Sequence, residues 1–302
     1  MPFPKILNTS VKGLFILWML TMLKPTQVQG QTYFTEKENA VFKNIYSYRM
    51  LTADSLVKAE KNLNDAVWPL LSANVAWSEI LAGHLENDQW NEQFRTGLKE
   101  SKKLLDKKED LSDEELFYFI IIHAFKTRHE LLNNNYLNAA SDLNTCIGQI
   151  SDSFGKEEEY EPLYLTSGLY YYFIAKAYDD CKWLRPYLLL YPKGDSKKGL
   201  SYLYKLTTSS DVFLKNESNY FLMRIYYDLE KDYKRAEMHA RYLLKYSPDN
   251  LIYRIYYLKI IEELGQSELY ASERLKYIQM THGSPQLSTE QKQHFISLLD
   301  EE

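Results

Sequence analysis

The chain has 302 residues with a formal net charge of −5, 45% hydrophobic residues, 11 glycines, 9 prolines and only two cysteines. An acidic balance disfavours nucleic acid as the main partner, because phosphate binding needs a positive field. Few glycines and prolines over this length mean few turns, which suits long helices joined by short loops.

The N-terminus reads as an address. Lys5 and Lys12 precede the apolar run Gly13 to Leu23, and a polar stretch ends in Val28-Gln29-Gly30. A charged start, a short apolar centre and a small-residue end predict a secretory signal peptide over residues 1–30. Eleven residues at a helical rise of about 1.5 Å are too short for a hydrocarbon core of about 30 Å. Cleavage would remove Lys5, Lys12 and Lys24 and leave a charge of −8 on a single domain, residues 31–302. The expected location is outside the cytoplasm, periplasmic or cell-envelope in a bacterium, with no stable membrane span after cleavage.

Helix starts follow. Thr35 with Glu38, Ser112 with Glu115 and Ser288 with Gln291 have the spacing of capping boxes. From Thr35 one helix is predicted to about Asn62, with Val41, Ile45 and Tyr48 on one face. Asn64 or Asp65 caps the next, which tolerates Pro69 and runs towards Gly83. Another spans about Trp90 to Leu105 and ends in the solvated run Lys102 to Asp110; the charge runs Lys107 to Asp110 and Lys156 to Glu159 give no sign of a basic patch.

After Ser112, Phe117, Ile121, Ala124, Arg128 and Leu131 recur at helical spacing. Asn135-Tyr136-Leu137-Asn138-Ala139 then opens a second helix, and Asp232-Tyr233-Lys234-Arg235-Ala236 echoes it almost type for type. An N-cap, an aromatic wedge and a small contact residue are what a tight helical hairpin needs. Tyr220, Met223 and Tyr227, then Ala236 and Leu243, then Pro248, complete the pattern of the later copy. These landmarks are the signature of a tetratricopeptide-type helix pair. The fold class expected is all-α, a solenoid of stacked antiparallel pairs, clearest at 112–152 and 217–250, with C-terminal helices over 251–300.

An atypical pair lies between, over 160–210. A long aromatic helix runs from Tyr160 to Asp180, and Gly199 to Leu206 lies in the helix that answers it. Their connection, Cys181 to Lys193, carries Trp183, Arg185, Pro186, Tyr187, Leu188, Leu189 and Tyr191. A loop this apolar either packs on the stack or covers a partner site. Asp195 is a candidate N-cap. Cys146 falls in an apolar helical spacing and reads as a buried thiol, with pairing to Cys181 the alternative.

The chain resembles exported bacterial scaffolds built from divergent tetratricopeptide-like pairs. The likeness is carried by Gly168-Leu169-Tyr170-Tyr171-Tyr172, Arg185, Gly194-Asp195, Lys198-Gly199-Leu200, Ala236, Pro248, Asn250 and Leu264-Gly265. The resemblance implies a scaffold or binding role and supplies no catalytic residue. Arg224, where such pairs carry a small residue, and Ala240, where they carry a bulkier aromatic, predict an altered helix crossing there.

No reaction is legible. The six histidines show no converging ligand spacing, acid pairs such as Asp179-Asp180 point apart on a helix, and phosphate-loop and nucleophile-elbow motifs are missing. The expectation is therefore a non-enzyme without cofactor or metal that binds a protein or peptide. The alternative is a carbohydrate-binding protein of an envelope uptake system, suggested by 26 tyrosines. Candidate partner contacts are Trp183, Arg185 and Tyr187 on the loop, with Phe221, Ile225, Asp228 and Lys259 on the helix face beside it. In the last clear pair, Ser218 and Ile255 would share that face, which lacks the lysine and asparagine cluster needed to clamp a peptide carboxylate. Asn216-Glu217-Ser218 would be a glycosylation sequence in a eukaryotic host.

Overall fold

A computed structural model describes residues 32–60 and 65–300. The expected leader and the candidate cap Asn64 lie outside the described residues. Among those described there are fourteen α-helices and no strand. No helix among them is long and apolar enough to cross a membrane.

In chain order the helices are α1 (Glu36–Tyr46), α2 (Met50–Ala59), α3 (Val67–Leu81), α4 (Asp88–Leu105), α5 (Asp113–Leu132) and α6 (Tyr136–Asp152). Then come α7 (Leu163–Asp180), the short α8 (Arg185–Leu188), α9 (Ser196–Leu206), α10 (Val212–Arg224) and α11 (Tyr233–Tyr246). The last are α12 (Leu251–Glu263), α13 (Ser267–Gly283) and α14 (Thr289–Ser297). Sequence neighbours pack as pairs: α3 on α4, α5 on α6, α7 on α9, α10 on α11 and α12 on α13.

All three capping boxes form. Thr35 Oγ1 accepts from Glu38 N–H at 3.3 Å while Glu38 Oε2 accepts from Thr35 N–H at 2.8 Å. Ser112 with Glu115 and Ser288 with Gln291 make the same reciprocal bonds. Each satisfies two donors that a helix start otherwise leaves orphaned. Asp195 accepts from the N–H groups of Lys197 and Lys198 at 3.0 Å, and Asp65 Oδ1 accepts from Val67 N–H at 3.1 Å.

Three local expectations need correction. The first helix does not reach Asn62: it stops at Tyr46, and α2 begins afresh at Met50. Tyr48, with φ of 55°, sits in the left-handed region, and its ring packs on Phe295 with centroids 5.3 Å apart. Tertiary packing holds a backbone turn that no glycine announces. Asn135 does not cap α6, because its amide donates to Glu130 Oε2 instead (2.6 Å). Asp232 does cap α11, accepting from Arg235 N–H at 3.1 Å, so the two copies differ at this position. Asn216 is 5% exposed and donates to Tyr253 Oη at 2.7 Å, which removes it as a glycosylation site.

The chain also closes on itself. Tyr33 N–H donates to Asp211 Oδ2 (2.8 Å), Tyr46 Oη to Glu217 Oε1 (2.7 Å), and Asn250 Nδ2 to the Tyr46 carbonyl (2.9 Å). Gln291 Nε2 of α14 donates to Glu79 Oε2 of α3 at 2.6 Å. The first helices therefore seat against α10 and α12, and the last helix seats against α3.

Candidate functional site

Three surfaces deserve comparison, beginning with the connection between α7 and α9. A 3₁₀ turn (Lys182–Leu184) leads into α8. Both ends of this loop are fixed. At its start the Arg185 guanidinium stacks 4.8 Å from the centre of the Tyr178 ring and donates from Nε to the Tyr178 carbonyl at 2.8 Å. At its end Tyr170 Oη donates to the Pro192 carbonyl (2.7 Å), and Asp195 N–H to the Tyr171 carbonyl (2.9 Å). Leu188 is buried, and Tyr191 hydrogen-bonds Asn144 of α6. Between these anchors Trp183 is 66%, Leu189 74% and Leu190 76% exposed, with Tyr187 at 46%.

The helix face expected beside the loop is not a surface. Phe221 and Ile225 lie in the core at 2% and 0% exposure, and Ser218 is fully covered. The N-terminal helices account for this: Tyr46 reaches Glu217, while Phe42 and Phe34 pack on Phe213, all on α10. Phe221 and Ile225 therefore cannot touch a partner together with Trp183. Asp228 is partly buried and ion-paired to Arg224. Lys259 lines a separate cleft of about 380 Å³ with Tyr227, Glu262, Glu263 and Tyr270.

The second surface was not anticipated. Between α4 and α5 lies a cleft of about 660 Å³, floored by Phe94 and Leu98 and rimmed by Arg95, Lys99, Lys102, Lys103, Lys107 and Lys126. Asp106, paired with Lys102, and Glu130 are the acidic residues of this lining. A basic pocket on an acidic chain contradicts the reading of this run as lacking one. The signal is Arg95, Lys99 and Lys103 at four-residue steps, which aligns them on one face of α4, with Lys107 following in the turn beyond its end.

The third is internal. Helix α10 widens after Arg224 into a π turn, Ile225–Leu229, closed by Glu230 N–H donating to the Ile225 carbonyl at 3.0 Å. Arg224, 6% exposed, stacks 4.3 Å from the Tyr256 ring centre, and its Nη1 lies 3.4 Å from Tyr220 Oη. Burial works to lower its pKa, but the surrounding Tyr256 and Tyr220 hydroxyls and the ion-paired Asp228 carboxylate outweigh it and hold the value above the ordinary arginine range. Arg128 of α5 is a near neighbour, 5% exposed and stacked on Trp77 of α3.

No three His, Cys, Asp or Glu side chains among the described residues stand close enough together to hold a metal ion. Cys146 and Cys181 are free thiols, and burial pushes both pKa values up, away from the reactive thiolate. No family description, curated protein or solved structure matches this chain, so the functional reading rests on its own side chains.

Proposed function

We propose that this chain is an exported, non-catalytic scaffold of tetratricopeptide-like helix pairs that holds a protein partner on the loop between α7 and α9. The observation that carries the reading is the exposure of Trp183, Leu189 and Leu190 on a loop whose ends are tied down. A loop serving only to plug the stack would turn these side chains inward. Covering such a side chain is worth about 1.5–3 kcal/mol, and a pre-ordered loop loses little entropy on binding. Trp and Tyr are also frequent interface anchors. Arg185 supports the loop from below, since its guanidinium is engaged with Tyr178.

The test is the variant Trp183→Ser, Leu189→Ser, Leu190→Ser, which spares Arg185 and Leu188. Its melting temperature should match the wild type, while a partner captured from envelope extract by the wild type is lost. Recovery of the same proteins by both chains, or an early melt of the variant, would sink the assignment. A second reading, glycan binding, draws on the same exposed rings of Trp183 and Tyr187. It predicts quenching of tryptophan fluorescence by oligosaccharide that disappears in Trp183→Phe.

A further inference from the structure

Helices α3, α5, α10 and α12 meet around a buried cation that no carboxylate neutralises. Arg128 makes no ion pair among the described residues, and its Nε and Nη1 are fully buried without a hydrogen-bond acceptor. Its guanidinium carbon lies 4.8 Å from the centre of the Trp77 ring. Trp77 is 1% exposed and leaves its indole N–H unpaired. Asn74, also 1% exposed, leaves both amide atoms unpaired and shares a face of α3 with Trp77 through its three-residue spacing.

Such a cluster is costly as it stands. A polar group buried without a partner gives up its solvation with nothing in return, and a charged one gives up more. Burial, with the Arg224 charge adding to it, pushes the Arg128 pKa down to about 9, which still leaves a cation at neutral pH. Tyr220 and Tyr256 neighbour Arg128 and are themselves partly exposed.

We propose that Arg128, Trp77 and Asn74 bind the carboxylate of a small organic acid admitted past Tyr220 and Tyr256. Charge selects the class. Arg128 and Arg224 against Asp228 leave one positive charge, which a monoanion cancels and a phosphate dianion would overshoot. The planar guanidinium fork matches a carboxylate in two bonds, and the indole and amide N–H groups suit its remaining lone pairs. The depth of the three side chains favours a free small molecule over a chain terminus.

The experiment is calorimetric and thermal titration of the full chain with sodium acetate and sodium benzoate, against sodium chloride at equal ionic strength. At least one carboxylate should bind saturably and raise the melting temperature above the chloride control. Trp77→Phe, which keeps the ring and drops the N–H, should bind about tenfold more weakly, equivalent to about 1.4 kcal/mol. Arg128→Met should lose binding and, without ligand, melt above the wild type, because an unpaired buried charge has gone. Arg95→Ala in the α4–α5 cleft should bind as the wild type does. Equal responses to chloride and carboxylate would overturn the proposal and leave water as what completes the cluster. Unchanged binding by Arg128→Met, or tighter binding of inorganic phosphate than of either acid, would overturn it too. If Arg128→Met does not fold, the wild-type titration and Trp77→Phe decide.

Discussion

Gly199 is a helix-crossing position where a single added methyl should do clear damage. It faces Gly168 at the crossing of α9 over α7, and a Cβ there would lie 2.5 Å from Tyr172 N, 2.6 Å from the Gly168 carbonyl oxygen and 2.8 Å from Tyr172 Cβ. Two of these atoms are backbone, so no rotamer change relieves the clash. The helices must part instead, loosening Tyr172 and Leu203, both fully buried. Overpacking of this severity costs about 3 kcal/mol. Alanine's better helix propensity returns about 1 kcal/mol, leaving a net loss of about 2 kcal/mol. For a domain this long that is a fall of about 4–8 °C in melting temperature. Gly148 of α6 is the control, since a Cβ there meets nothing within 4 Å. Gly148→Ala should gain up to about 1 kcal/mol from propensity alone and melt slightly higher. Thermal denaturation by circular dichroism reads both. A Gly199→Ala protein melting as high as Gly148→Ala would refute the close crossing.

Ala236 is fully buried between α10 and α11 and Ala139 is 2% exposed, so Ala236→Leu and Ala139→Leu should each cost about 1–3 kcal/mol, measured by urea unfolding. An unchanged midpoint for either would show that its hairpin has room. His239 predicts a pH effect: it is 2% exposed, its Nδ1 lies 2.8 Å from Asn219 Oδ1, and burial pushes its pKa down to about 4. The unfolded chain protonates first, so this stability is present above pH about 6.5 and lost as pH falls towards about 4, by at most about 3 kcal/mol. Asp211, held up at about 6 by burial, has the opposite sign, losing stability as pH rises from about 4 to about 6. The comparison is therefore between wild type and His239→Gln. The variant should lose less stability between pH about 7 and about 5, and parallel curves would refute the assignment.

Local chemistry was legible and long-range closure was not. Capping boxes involve residues three apart, and Thr35, Ser112 and Ser288 could be read directly. The four-residue spacing of Phe221 and Ile225 puts them on one helix face, which in sequence reads as a groove. What covers that helix is Phe42 and Tyr46, some 170 residues earlier, and no periodicity reports such a contact. The break at Tyr48 escaped notice for a related reason: a left-handed tyrosine is held by Phe295 at the other end of the chain. The basic cleft is half local, a stripe on α4, and half tertiary, since Lys126 arrives from α5. Arg128 was visible in the apolar series Phe117, Ile121, Ala124, Arg128, and a cation in a core series should have been read as a site signal.

Closure of the chain on itself decides which faces can work. Tyr46 on Glu217 and Asn250 on the Tyr46 carbonyl bring the first helices over α10, while Gln291 on Glu79 seats the last helix against α3. A long peptide groove along α10 is thereby lost. What closure creates is an interior where α3, α5, α10 and α12 bring Trp77, Arg128, Arg224 and Tyr256 together from distant parts of the sequence. It also leaves the α7–α9 loop on the outside, carried by the close crossing of Gly199 on Gly168. A rigid base matters there, because ordering a loop of this length on binding would cost several kcal/mol, and here most of that order exists before a partner arrives. The two proposed sites are built from different residues. Substitutions at Trp183, Leu189 and Leu190 should leave carboxylate binding at Arg128 untouched, and Trp77→Phe should leave partner capture untouched; coupling of the two in a double-variant comparison would refute their independence.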